Sequence, residues 1–79
     1  MASSRVQSVA RASTLLRVLA AEGGYMQLGT IAATAHLPKS TTHGLLQTLV
    51  SEQLVDHDRT CGRYRLSTNV TLVDRRGAQ

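Results

Sequence analysis

The sequence predicts a mainly α fold that carries a small antiparallel β wing. Three observations point there. Apolar residues recur at helical spacing in three stretches, separated by Gly23-Gly24 and by His36-Leu37-Pro38. Two short runs with strand character follow, Leu54–Asp58 and Gly62–Leu66, joined by the polar turn Asp58-Arg59-Thr60-Cys61-Gly62. No Asp or Glu occurs from Gly23 to Ser51, so the middle of the chain carries no carboxylate side chain. Helix, turn, helix and hairpin in that order make a winged helix-turn-helix.

Each element has its own local reason. Residues 1–7 read as a mobile arm that includes Arg5, with Ser8 as the N-cap of the first helix. Val9, Ala12, Leu16, Leu19 and Ala20 form the apolar stripe of that helix. Leu15 and Val18 widen it, and Arg11 and Arg17 face outward. Gly23-Gly24 stops the helix. Tyr25-Met26-Gln27 is too short for an independent strand but could pair with the later hairpin as a minor third one.

Leu28 to Ala35 is the second helix, with Leu28, Ile31, Ala32 and Ala35 inward, and His36-Leu37 is the turn. Pro38 opens the third helix, where its missing N–H is not needed. That helix runs to about Glu52, with Thr42, Leu45, Leu46, Leu49 and Val50 toward the interior. Leu54, Tyr64 and Leu66 of the hairpin are expected to cover the helices. Ser67 to Val73 reads as the start of a linker helix, and residues 74–79 as a disordered tail. The domain therefore spans 8–67, between an arm at 1–7 and a linker and tail at 68–79.

Seventy-nine residues make one small domain. Such a chain buries only about 60% of the surface it exposes when unfolded, so its core is modest. The absence of Phe and Trp suits short, closely packed helices. A net charge of +4 points to an anionic partner, nucleic acid before a membrane surface. Cys61 is the only cysteine, which precludes a disulfide within the chain and fits a reducing, cytoplasmic setting. Neither a signal peptide nor a bilayer-spanning run is visible.

The turn between the second and third helices has the offsets of a helix-turn-helix: Ile31, Ala32, Ala35, Leu37, Thr42 and Leu45. His36 stands where a glycine is common, and histidine is among the residues that tolerate positive φ. Thr42 stands where a branched apolar residue is common; it keeps that shape and can bond back to its own helix. Once the inward positions are removed, the third helix offers Lys39, Ser40, Thr41, His43, Gly44, Gln47 and Thr48. These short donors and acceptors can meet base edges or phosphates in a major groove. An ordinary solvated face is the competing reading, and the lack of carboxylates weighs against it.

Arg59 and Arg63 at the hairpin tip can lie on flanking phosphates, unless Asp56 and Asp58 neutralise them. Arg65 is a weaker candidate. His36, His43 and His57 are too scattered for a metal site, and no nucleophile–base–acid set is present, so neither catalysis nor a cofactor is expected. The candidate contacts are thus Lys39, Ser40, Thr41, His43, Gln47, Arg59 and Arg63. A protein-interaction module is the alternative. A membrane-surface peptide does not fit, because the apolar residues are shared among short elements that need one another.

Ser8-Val9-Ala10-Arg11-Ala12 ahead of Leu16 and Leu19, Ile31-Ala32, Leu37-Pro38-Lys39-Ser40-Thr41-Thr42-His43 with Leu45-Leu46-Gln47-Thr48-Leu49, and Tyr64-Arg65-Leu66 together resemble the N-terminal winged-helix domain of IclR-type transcriptional regulators. The resemblance covers residues 5–67. It implies a bacterial regulator, usually a repressor and sometimes an activator, that binds double-stranded operator DNA as a homodimer or dimer of dimers. It also implies a small-molecule effector acting through a larger C-terminal domain, which is expected to be absent from this chain. Family DNA contacts carried over by this resemblance fall on Ser40, Thr41, His43 and the wing arginines. Three positions depart from the pattern: Gly44 where an arginine is frequent after the histidine, and Gln53 and Ser67 where glycines are frequent.

Overall fold

The computed structural model describes residues 6–70. Its elements run α1 (Gln7–Glu22), β1 (Met26–Gln27), α2 (Leu28–Ala35), α3 (Lys39–Ser51), β2 (Val55–Asp58) and β3 (Arg63–Leu66). The three helices pack on one another, and the strands form an antiparallel sheet in the order β1-β3-β2. Met26 pairs with Tyr64 and Gln27 with Arg63, so the short Tyr25-Met26-Gln27 stretch does supply the minor third strand. Val55 pairs with Leu66, His57 with Tyr64 and Asp58 with Arg63 in the hairpin.

Helix α1 does not begin at a serine cap. Val6 is the extended cap residue, no side chain caps the end, and the Val6 carbonyl accepts the Ala10 N–H at 3.1 Å. Ser8 lies inside the first turn, and Gln7, expected in the arm, is helical. Leu15 and Leu19 are the buried centre of the helix, with Ala12, Leu16 and Val18 packed beside them. Val9, at 63% exposed, and Ala20, also exposed, do not face inward as expected. At about 100° per residue both lie more than about 100° around the helix from Leu15, outside the narrow stripe that a small core can cover.

Both helices of the turn motif end in the same way. His36 adopts φ 58°, ψ 45°; its N–H reaches the Ala33 carbonyl while the Leu37 N–H reaches Ala32. Gln53 adopts φ 65°; its N–H reaches Val50 while the Leu54 N–H reaches Leu49, both at 2.9 Å. This crossed pair satisfies the last carbonyls of a helix, and its left-handed residue is usually glycine. Here histidine and glutamine hold the position. Pro38 sits at the cap just ahead of α3 rather than within it, and α3 ends at Ser51 with Glu52 as its cap.

The core joins Leu15 and Leu19 of α1, Ile31 of α2, and Leu46 and Leu49 of α3 to Met26, Val55 and Tyr64 of the sheet. Leu54 and Leu66 are only partly buried against it. Met26 and Val55 are additions to the expected core, because strands of two and four residues are too short to show a period. Gly62 belongs to the hairpin turn, not to a strand: it has φ 69° and donates to the Asp58 carbonyl at 2.7 Å.

Ser67 is not helical. Its N–H donates to the Leu54 carbonyl at 3.0 Å, and its hydroxyl accepts the Asn69 N–H at 3.2 Å, closing a turn. Thr68 and Asn69 continue that turn, and the Val70 N–H donates to the Ser67 carbonyl at 3.0 Å, so the linker helix expected from Ser67 does not start through Val70. Residues 71–79 of the expected linker and tail, and residues 1–5 of the expected arm with Arg5, lie outside the described residues.

Candidate nucleic-acid interface

Helix α3 has two faces because Thr42, Leu46 and Leu49 take the interior. Lys39, Ser40, His43, Gly44, Gln47, Thr48 and Ser51 are exposed, and Thr41 is half-buried. Of the seven candidate contacts, Thr41 therefore has the least free surface. The Thr48 hydroxyl donates to the Gly44 carbonyl at 3.3 Å, which occupies its donor within the helix. The Lys39 side chain lies back along α2: a Cβ placed on Gly29 would meet Lys39 Cε at 3.6 Å and Nζ at 3.9 Å. The cation thus stands beside the start of α2, one end of the exposed face, rather than over its middle.

A Cβ placed on Gly44 would meet nothing within 4 Å, and Gly44 is not in the left-handed region. Neither packing nor backbone conformation within the domain requires glycine there.

The wing is built by cross-strand pairs. Arg65 Nε donates to Asp56 Oδ2 at 3.4 Å, and this is the one ion pair among the described residues. The Arg65 guanidinium also lies 4.8 Å from the centre of the Tyr25 ring. Asp58 turns to the tip: its Oδ1 accepts the Thr60 N–H at 2.9 Å. The Cys61 side chain, and then the Thr60 N–H, hold the Asp58 carboxyl below its ordinary value by hydrogen bonding to the charged form. Both wing carboxylates are thereby engaged, while Arg59 and Arg63 are exposed and form no ion pair among the described residues.

The structure brings some candidates together and keeps others apart. Gln47 of α3 and Arg59 of the wing line one cleft of about 300 Å³, together with Val50, Ser51, His57 and Tyr64. Arg63 alternates with Tyr64 along β3 and so lies on the opposite face of the sheet. Lys39 and Ser40 lie at the other end of α3. Ser51 and His57 escape a sequence-only reading. The one signal available was the symmetric placing of His57 and Tyr64 about the turn, which puts them opposite each other in the hairpin. Among the described residues no group of three or more His, Cys, Asp or Glu is placed to hold a metal ion.

Residues 8–59 match the family model of the IclR helix-turn-helix domain. The chain belongs to the IclR helix-turn-helix family. The glycerol operon regulatory protein of Streptomyces coelicolor is 40% identical to this IclR-type domain over 65 residues, and its counterpart from Streptomyces griseus 38% over 68 residues. These alignments cover 82% and 86% of the chain but only 26% and 27% of the relatives, so the chain spans about a quarter of their length.

Among solved structures, an IclR transcriptional regulator from Alicyclobacillus acidocaldarius superposes with a TM-score of 0.76 at 32% identity, covering 82% of this chain and 26% of that one. An IclR family regulator from Brucella abortus superposes with a TM-score of 0.76 at 29% identity, covering 82% and 25%. The IclR-type domain is thus a winged helix-turn-helix of the transcription-regulator class, not an enzyme. No helix among the described residues is long and apolar enough to cross a membrane.

Proposed function

We propose that the chain is the operator-binding part of a bacterial transcriptional regulator, acting in the cytoplasm and in the repressing mode that the family resemblance implies. Helix α3 enters the major groove of duplex DNA, and the wing lies on the adjacent backbone. The observation that carries this reading is a carboxylate-free exposed face of α3 beside a wing whose Arg59 and Arg63 have no acidic partner among the described residues.

Lys39, Ser40, Thr41, His43 and Gln47 are the proposed contacts from α3, and Arg59 and Arg63 from the wing. Short side chains and the opening N–H groups of α3 suit base edges and phosphate oxygens, while the arginines supply charge at the flank. A carboxylate on that surface would oppose the phosphates, and none is present from Gly23 to Ser51.

The functional unit is a homodimer in this reading. Val6 and Val9 stand 61% and 63% exposed on the outer side of α1, where they border a shallow depression with Ala10, Ser13 and Thr14. A second copy seated there would remove that apolar surface from water. It would also present two reading helices to two half-sites. A small-molecule effector would act through a C-terminal domain like that of the resembled regulators.

The test is fluorescence anisotropy with duplexes from the control region of a glycerol operon, the first choice given the names of the Streptomyces relatives, and then with a randomised duplex pool. Saturable binding to a subset of duplexes, weakened by salt, is the expected result. Binding indifferent to duplex sequence and to salt contradicts the reading. The protein-interaction alternative requires a partner whose binding survives Arg59→Ala and Arg63→Ala.

A further inference from the structure

We propose that the cleft between α3 and the wing seats one strand of the bound duplex, and that His57 is a further contact to the phosphates of that strand. The inference rests on the DNA-binding reading and adds a residue and a backbone track to it. The cleft is lined by Gln47, Val50, Ser51, His57, Arg59 and Tyr64, none of which carries a carboxylate. Its polar rim offers an amide, a hydroxyl, an imidazole and a guanidinium. Phosphodiester oxygens only accept hydrogen bonds, and every one of these groups can donate. Gln47 belongs both to this cleft and to the exposed face of α3, so a strand bordering the groove that α3 occupies continues past the wing.

His57 is exposed yet held in place. Its ring lies on that of Tyr64, with centroids 4.3 Å apart and planes 4° from parallel. Tyr64 is 4% exposed and anchored in the core, so it is a fixed platform. Both imidazole nitrogens lie in the ring plane, so stacking through the ring face leaves its N–H free to donate. A side chain already fixed in this way loses little rotamer freedom on binding.

The charges around His57 favour an anion. Arg59 shares the cleft, Tyr64 lies beneath the ring, and α3 contributes the uncharged Gln47 and Ser51. Asp56 and Asp58 alternate onto the other face of β2, where Arg65 holds the first and Thr60 and Cys61 hold the second. Glu52 caps α3 beyond Ser51 and does not line the cleft.

The experiment is a salt titration of binding to a selected duplex for the unaltered chain, His57→Phe and His57→Lys. His57→Phe keeps a ring on Tyr64 but has no N–H, and is expected to bind about 3- to 10-fold more weakly, the loss of one hydrogen bond. His57→Lys places a permanent cation at the same position and is expected to steepen the slope of log affinity against log salt by up to about 0.9, one more phosphate neutralised. If His57→Phe binds the duplex as tightly as the parent and His57→Lys leaves the slope unchanged, the inference is overturned. If the parent binds no duplex, the DNA-binding reading fails first and takes the inference with it.

Discussion

The Thr42 hydroxyl donates to the Pro38 carbonyl at 2.9 Å from a side chain with no solvent exposure, and the Thr42 N–H meets the same carbonyl at 3.0 Å. A polar residue can therefore occupy the inward site where helix-turn-helix units commonly carry a branched apolar one. The hydroxyl is satisfied one turn back, and the methyl packs with the core.

Thr42→Val removes the hydroxyl but leaves the Pro38 carbonyl its backbone donor, so stability is expected to change by less than about 1 kcal/mol. Thr42→Ser keeps the hydrogen bond and deletes a buried methyl, and is expected to lose about 1 kcal/mol or more. Urea denaturation of both variants checks the order. A valine variant less stable than the serine variant would show that the hydrogen bond, not the packing, dominates the site.

Gln53 and His36 hold left-handed positions that glycine adopts without penalty. Left-handed backbone costs a side-chain-bearing residue about 1–2 kcal/mol. Gln53→Gly is expected to stabilise the domain by about 1 kcal/mol, a rise in melting temperature of about 4–8 °C for a domain of this size. His36→Gly is expected to gain less, because histidine visits this region more readily. Thermal unfolding followed by circular dichroism measures both.

Gly44 sits mid-helix with open space where a side chain would be. Gly44→Ala is expected to stabilise the fold by about 0.5–1 kcal/mol. Its gap lies in the proposed reading face, so the same variant is expected to bind operator DNA more weakly as the backbones are held apart. Denaturation and anisotropy on one preparation separate the two effects; tighter or unchanged binding would remove Gly44 from the interface.

Arg59→Ala and Arg63→Ala are expected to leave stability unchanged and to make the salt slope of DNA binding shallower by about 0.9 each, one phosphate contact per arginine. Arg65→Ala is expected to behave in the opposite way. Its pairing with Asp56 and its stacking on Tyr25 are lost, at less than about 1 kcal/mol because the ion pair is 38–40% exposed, while the salt slope stays near that of the parent. Salt titrations of the three variants distinguish wing charge from wing structure.

Asp58 gives the wing an acid-sensitive tip. Its carboxyl titrates below the ordinary value, held first by the Cys61 side chain and then by the Thr60 N–H. A depressed folded-state value means that the contribution is present above the unfolded-state value and is lost as pH falls through the folded one. An NMR titration should show the Thr60 amide shifting with Asp58, at a pH below that of a carboxyl in an unstructured peptide. Cys61→Ala should bring that midpoint back toward the ordinary range.

Much was legible in the chain because it is governed by local rules. The 3.6-residue period located all three helices, and the Pro38-to-Ser51 pattern of α3 separated its buried side from its exposed one. His36 could be placed in a left-handed turn from its position between two periodic stretches. The hairpin followed from its turn residues, and even the brief β1 was foreseeable as a pairing partner.

What only the tertiary structure decided depends on residues distant in sequence. A serine in the right place did not become the cap of α1, which starts one residue earlier, at Gln7. Val9 and Ala20 stayed outside because the core touches only a narrow stripe of that helix. Met26 and Val55 entered the core through strand pairing, which short segments cannot announce by period. Asp56 went to Arg65 and Asp58 to the tip, leaving Arg59 and Arg63 without an acidic partner among the described residues; that choice was open in the sequence, since all five stand within ten consecutive positions. The sequence by itself determined the elements, their order and a carboxylate-free helix. The packing of wing against α3 decided which of the exposed groups share a cleft, because only long-range contacts set the distance between two locally specified pieces.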